Sequence, residues 1–483
     1  MGVPRINTGD PSLLTFVRML RGSPVLFCLL LSAQLVFGQW DDSDRLPAAF
    51  HSGRRDALRD LMPANSVAVF FSNPVRNRSN DVDYQFSQAP NLYYLSGHLE
   101  PNAVLVVFKD TVQVRGEWCR EVLFVEERNT REELWTGERL GSERAKSRLA
   151  LEQALPASEW VQLNLDWRKF TTVFAEYPDA PNGTNRDKAD LRDLTEFLSE
   201  TLRTQRVEVN PQGIPVMLAR LREIKTPEEM VLMQKAVDIT VAGFQDLMSS
   251  LKAGMHEYEA QALVEYHARK EGAEYMGYPS ICGSGQNAAV LHYTFNRKKL
   301  KDGELFLVDI GGEYHGYTAD ITRTMPVSGS FSTEQKAIYD LVWSAQQAGI
   351  QQCRVGRDFR AAHKAAFEVI SKGLQELGII KSAGDADRYF MHGTSHYLGL
   401  DVHDAGTYQA LRSGTVMTVE PGIYIPPGSP CESRWWNCSV RIEDDVLVTD
   451  SDPDVMSKAL ISKSEEIEAW MKSKASSGQG IAR

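Results

Sequence analysis

The sequence predicts two domains, α/β in the amino-terminal part and α+β in the carboxy-terminal part. Three observations point there. The chain has 483 residues, more than one domain usually holds. Short apolar runs alternate with helical stretches over residues 45–210. Beyond the turn-rich "NPQGIP" at 210–215, a helix pair followed by strands occurs twice, which suggests two related halves around one sheet. Hydrophobic residues make up 42 % and charged residues 24 %, so a large core can form without disulfides.

The elements follow in order. Arg5, Arg18 and Arg21 precede "PVLFCLLLSAQLVFG", an apolar run of signal-peptide length, too short to span a bilayer comfortably. Residues 1–38 are therefore expected to be an export signal, cleaved after Gly38, with an uncleaved anchor as the alternative. The protein would then be periplasmic or extracellular. A support domain is expected over 45–210, a catalytic domain over 215–475 and a flexible tail over 476–483. In the first, "SVAVFF" (66–71), "AVLVVF" (103–108) and "EVLFVEE" (121–127) read as strands, and 142–155 and 188–203 as helices. In the second, Thr226, Pro227 and Glu229 form a capping-box signature, and Met230, Met233, Ala236, Val237 and Ile239 carry helical periodicity. A second helix should end at Gly272. Strands are expected over 278–326 and 390–450, helices over 333–353 and 358–377, and a last helix over 462–472 with a Ser462/Glu465 capping box.

A net charge of −11 argues against a binder of the phosphate backbone, so no nucleic-acid partner is expected. No apolar stretch after the signal is long enough to cross a membrane. With Cys28 in the signal, Cys119, Cys282, Cys353, Cys431 and Cys438 remain, an odd number that makes no disulfide framework. Cys431 and Cys438 could pair locally or stay as thiols. "NRS", "NGT" and "NCS" match the glycosylation pattern of exported proteins.

The chemistry is concentrated in four acids set in apolar runs: Asp309, Asp320, Glu420 and Glu443. A buried carboxylate is costly unless paired or bound to a metal. Arg323 and Arg441 could pair with two of them, whereas two divalent cations would neutralise all four. Of ten His in the chain, His392, His396 and His403 fall within "HGTSHYLGLDVHD", and His292 lies in "VLHYTFN". The zincin H-E-x-x-H helix, Cys zinc sites, the phosphate-binding G-x-x-x-x-G-K-[ST] loop and the G-x-S-x-G elbow are all missing. An oxygen-rich set with one imidazole suits Mn²⁺, Co²⁺ or Zn²⁺. Two such ions close together acidify a shared water and polarise a carbonyl, which is amide-hydrolysis chemistry.

The motifs "LVDIGGEYHGYTADITRT", "HGTSHYLGLDVHD", "VEPGIY" and "RIEDD" resemble the pita-bread metallopeptidases, and within them the aminopeptidase P family. Residues 76–107 and 131–141 resemble that family's amino-terminal domain. The resemblance implies a creatinase-like α/β amino-terminal domain. It also implies an α+β pita-bread domain with a curved, mainly antiparallel sheet covered by helices. It assigns the metal ligands to Asp309, Asp320, His396, Glu420 and Glu443, with Asp320 and Glu443 bridging two ions, Mn²⁺ before Co²⁺ or Zn²⁺. Glu420 would accept the proton of the attacking water. His292, His392 and His403 would bind substrate and steady the intermediate, with Tyr424 and Arg441 as further substrate or supporting contacts. The implied activity removes an N-terminal residue that precedes proline from peptides, in a homo-oligomer, dimer or tetramer. Prolidase, a metal-free creatinase-like hydrolase and a peptide-binding module are the alternatives. In "NCSVRIED", Cys438 and Ser439 depart from the family's Gly before the Arg.

Overall fold

The computed structural model describes residues 44–178 and 190–477. The expected signal over 1–38 and the "NGT" site lie outside the described residues, as does most of the expected tail.

In the amino-terminal part, helix α1 (Ala48–Leu61) leads into strand β1 (Ser66–Phe71). Helix α2 (Pro90–Ser96) precedes the antiparallel pair β2 (Val104–Val114) and β3 (Glu117–Val125). Helices α3 (Thr130–Thr136) and α4 (Gly141–Arg148), strands β4 (Gln153–Pro156) and β5 (Thr172–Glu176) and helix α5 (Leu191–Gln205) follow, and shorter helical turns and a small hairpin also belong to this part. The sheet order is β4-β3-β2-β1-β5, with β1–β5 and β3–β4 parallel. Every residue of β1 is buried, so both faces of the sheet are covered. Val67, Val69 and Phe71 share a core with Leu194, Leu198 and Leu202 of α5. Ala68 and Phe70 face the other way, into a core that also holds Leu58 of α1 and residues of the carboxy-terminal helices.

One expected helix is shorter than the sequence suggests. Residues 142–155 split into α4 and β4, because Ala150 takes a left-handed φ of 50° and Leu151 N–H closes back onto the Lys146 carbonyl. The freed residues 153–156 then pair in parallel with β3.

Helix α6 (Gly213–Arg222) leads to α7 (Pro227–Ser250), whose Thr226/Glu229 capping box forms as expected. Helix α8 (Glu257–Lys270) ends before Gly272, at a φ of 102°. Next come β6 (Tyr275–Met276), β7 (Ile281–Ser284), β8 (Leu305–Ile310), β9 (Gly312–Tyr314), β10 (Tyr317–Thr318) and β11 (Ile321–Pro326). The second set runs α9 (Thr333–Ile350), α10 (Ala361–Glu376), β12 (Val416–Val419), β13 (Gly422–Ile423), β14 (Val440–Arg441), β15 (Asp444–Leu447) and β16 (Asp454–Val455). The strand pairings in this part, among the described residues, are antiparallel, within short ladders joined by bridges such as Thr322 to Glu443. Helix α11 (Ser464–Ser477) starts later than the expected Ser462/Glu465 box, because Ser462 Oγ accepts the Trp343 indole N–H instead.

β8 and β11 pair with Asp309 opposite Thr322, and β9–β10 forms a short hairpin between them. At Gly311 a Cβ would strike the Ala319 carbonyl, so the arms carrying Asp309 and Asp320 approach closely only with glycine there. No helix among the described residues is long and apolar enough to cross a membrane. All five described cysteines, including Cys431 and Cys438, are free thiols.

Burial also sets an acid sensitivity. His98 is fully enclosed with both ring nitrogens lacking a partner, and desolvation pushes its pKa down to about 3. Desolvation likewise takes His51 down to about 4. In the unfolded chain both take up protons below about 6.5. The unfolded state therefore binds more protons between pH 6.5 and 4, and stability drains away as pH falls through that window. His98→Leu should lose less Tm between pH 7 and pH 4.5 than the wild type. Equal losses in a thermal melt would refute this.

Candidate metal centre

Asp309 sits within the apolar run of β8, between Val308 and Ile310, and Asp320 immediately precedes β11. His396 is tied to β12: its backbone N–H meets Thr418 Oγ1 at 3.2 Å, and its carbonyl accepts from Thr418 N at 3.0 Å. Glu420 follows β12, and its N–H donates to the Thr394 carbonyl at 2.9 Å. Glu443 lies between β14 and β15, and its N–H donates to the Thr322 carbonyl at 3.1 Å. Rigid ladder positions thus aim side chains from four sequence regions at one place.

Asp320, His396 and Glu443 each offer a ligand atom, all within 4.8 Å of one another. His396 Nδ1–H donates to the Tyr397 carbonyl at 3.0 Å, which leaves Nε2 facing Asp320 at 3.4 Å and Glu420 at 3.5 Å. Asp309 joins through Tyr278, whose hydroxyl touches it and lies 2.6 Å from Asp320. Arg441 pairs with Asp309 and sends Nε to Thr322 Oγ1 at 3.2 Å, and that hydroxyl donates to Glu443 at 2.7 Å. The other expected cation, Arg323, pairs with Asp444 instead.

The acids are therefore crowded and short of positive charge. Burial, against the pull of Arg441, raises the pKa of Asp309. Burial and Asp320 raise Glu443 well above the carboxylate range. Burial lifts Glu420 to about 7 despite His396 and Arg441. Burial would lower His396, but Asp320 and Glu420 outweigh it and bring it up to about 9. Excess buried negative charge beside an outward-facing imidazole nitrogen is a donor set suited to cations.

The remaining candidates surround this cluster. Burial, then Arg441, lowers His392 to about 4, so it is neutral near pH 7. Its Nδ1–H donates to the Gly393 carbonyl at 2.7 Å, and Nε2 accepts the Tyr424 hydroxyl at 2.8 Å. Tyr424 in turn accepts from Arg441 at 2.9 Å. His403 lies with its ring centroid 4.3 Å from that of His396. His292 stands exposed on the loop between β7 and β8, near enough to bear electrostatically on His392 and His403. Tyr278, Thr322 and Thr418 were not singled out in the sequence, where hydroxyl residues in strands carry no distinguishing pattern.

Residues 231–450 match metallopeptidase family M24, and residues 51–167 match the aminopeptidase P N-terminal domain. The chain is 35 % identical over 438 residues to an Escherichia coli protein named Xaa-Pro aminopeptidase, covering 86 % of this chain and 96 % of the relative. It is 33 % identical over 423 residues to the mitochondrial intermediate cleaving peptidase 55 of Arabidopsis thaliana, covering 87 % and 82 %. The structure of Pseudomonas aeruginosa aminopeptidase PepP superposes with a TM-score of 0.80 at 34 % identity, covering 89 % of this chain and 99 % of that one. Fold, cluster and near full-length likeness agree that this chain is a metallopeptidase of family M24, of the aminopeptidase P type.

Proposed function

We propose that the chain is an Xaa-Pro aminopeptidase, a metalloexopeptidase that hydrolyses the bond between an N-terminal residue and a following proline. Two divalent cations would be held by Asp309, Asp320, His396, Glu420 and Glu443. The observation that carries this reading is the meeting of Asp320, His396 and Glu443 within 4.8 Å, in a chain whose near full-length relatives bear that activity's name. The oxygen-rich set favours Mn²⁺, with Co²⁺ and Zn²⁺ as alternatives. A zinc-substituted form of the E. coli relative binds product, and the same relative binds the inhibitor Pro-Leu.

Bound there, the cations supply Lewis-acid polarisation and a water of lowered pKa. The chain's own groups do the rest. Glu420, which faces His396 Nε2 at 3.5 Å at the edge of the cluster, would take the proton of the attacking water. Arg441 holds the Asp309 carboxylate in place and orders Tyr424. The Gly393 carbonyl fixes the tautomer of His392, and the Tyr424 hydroxyl meets its Nε2. His292, His392 and His403 supply positioned contacts to the peptide and to the charge that develops on its carbonyl oxygen.

Stripping the protein with a chelator should abolish cleavage of an Xaa-Pro-Xaa tripeptide, and adding Mn²⁺, Co²⁺ or Zn²⁺ should restore it. The same additions should raise Tm, because cations that bind only the folded acids stabilise it by mass action. Full activity in metal-free protein would favour the creatinase-like reading, and cleavage of Xaa-Pro dipeptides alone would favour prolidase. Glu420→Gln should lower kcat about 10²- to 10⁴-fold at saturating metal; a near-native rate would remove Glu420 from its role.

Self-association belongs to the same proposal. Leu134 and Trp135 on α3 are 83 % and 87 % exposed, and such apolar side chains suit a subunit contact. Trp135→Glu should lower the mass seen by sedimentation, and a wild-type monomer would sink this part.

A further inference from the structure

Beside the acid cluster lies a second group of buried charges that the reaction above does not use. Asp404 follows His403 directly, and its side chain is 1 % exposed. One carboxylate oxygen accepts from Lys225 Nζ at 2.9 Å and the other faces Arg222. Arg222 also reaches Asp401 at 2.7 Å. Between the two cations, Glu223 accepts the Thr407 backbone N–H at 2.9 Å and faces Arg412 at 3.6 Å. The Lys225 N–H donates to the Gly414 carbonyl at 2.9 Å. A side chain at Gly399 would collide with the Asp404 carboxylate. Arg222 at the end of α6, with Glu223 and Lys225 just after it, thus grips the loop 399–414 along its length.

The grip extends to the other domain. Arg222 Nη1 donates to Asn91 Oδ1 at 2.8 Å, and Asn91 Nδ2 donates to Glu176 Oε1 at 2.7 Å. Asn91 lies in α2 and Glu176 ends β5. Unbroken polar contacts therefore run from the amino-terminal sheet to the residue after His403. Buried ion pairs are poor sources of net stability, because desolvation offsets the attraction; their geometry is what they impose.

We propose that Arg222 and Lys225, acting through Asp404, are positioning residues that hold His403 over the metal centre, and that Asn91 makes the amino-terminal domain part of this clamp. The inference rests on the role given above to His403. A displacement of about 1 Å in such a group can cost on the order of 10²-fold in rate.

The test is a double-mutant comparison on the full chain, loaded with Mn²⁺, with an Xaa-Pro-Xaa tripeptide. Asp404→Asn should lower kcat about 10²-fold with metal content unchanged. In a His403→Ala background the same change should lower kcat less than about 3-fold, since the group it positions is gone. An equal loss in both backgrounds, or no loss in either, overturns the clamp and leaves the peptidase reading standing. If Asp404→Asn fails to fold, Asn91→Ala, which leaves the buried ion pairs intact, is compared in the same way. It should lower kcat about 5-fold alone and not with His403→Ala; an equal loss in both overturns the clamp. A wild-type chain that cleaves no Xaa-Pro peptide overturns both readings.

Discussion

Like charges forced together out of water are the constraint on which this structure depends. Asp309, Asp320, Glu420 and Glu443 are drawn from two separated pairs of strands, and Arg441 and His396 are the cations set against them. Burial raises the pKa of Asp309, Glu420 and Glu443, so the cluster stores unfavourable electrostatics that positive ions would relieve. Only stiff elements can hold such groups together, which is why backbone bridges such as Thr322 to Glu443 sit directly behind the acids.

The support around the acids explains how the imidazoles differ. His396 and His392 each spend Nδ1–H on a backbone carbonyl, so each presents Nε2. His396 Nε2 faces carboxylates that overcome burial and raise its pKa; burial, then Arg441, lowers that of His392, whose Nε2 faces Tyr424. One residue type is thus charged beside the acids in one place and neutral in another, set by its surroundings.

Much of this was legible in the sequence because it broke a pattern. Asp309, Asp320, Glu420 and Glu443 interrupt strand-like apolar runs, and acids there need a reason. The capping box at Thr226 and Glu229 was equally plain and formed as read. What escaped the sequence was decided by tertiary partners. Tyr278, Thr322 and Thr418 look like ordinary strand residues until their hydroxyls meet the site. Arg323 seemed free for the acids but is taken by Asp444. The helix read over 142–155 stops because strand pairing with β3 claims its last residues, which outweighs their helical propensity.

The core that Ala68 and Phe70 of β1 share with Met233, Val237 and Phe244 of α7 has a further consequence. The two parts are welded by oil rather than hinged by a linker. A fragment starting near residue 215 would leave that greasy surface wet, and a lone amino-terminal piece would do the same from the other side. Heating should therefore melt the chain in one step, and neither half is a module that recombination could lend to another protein without a new lining.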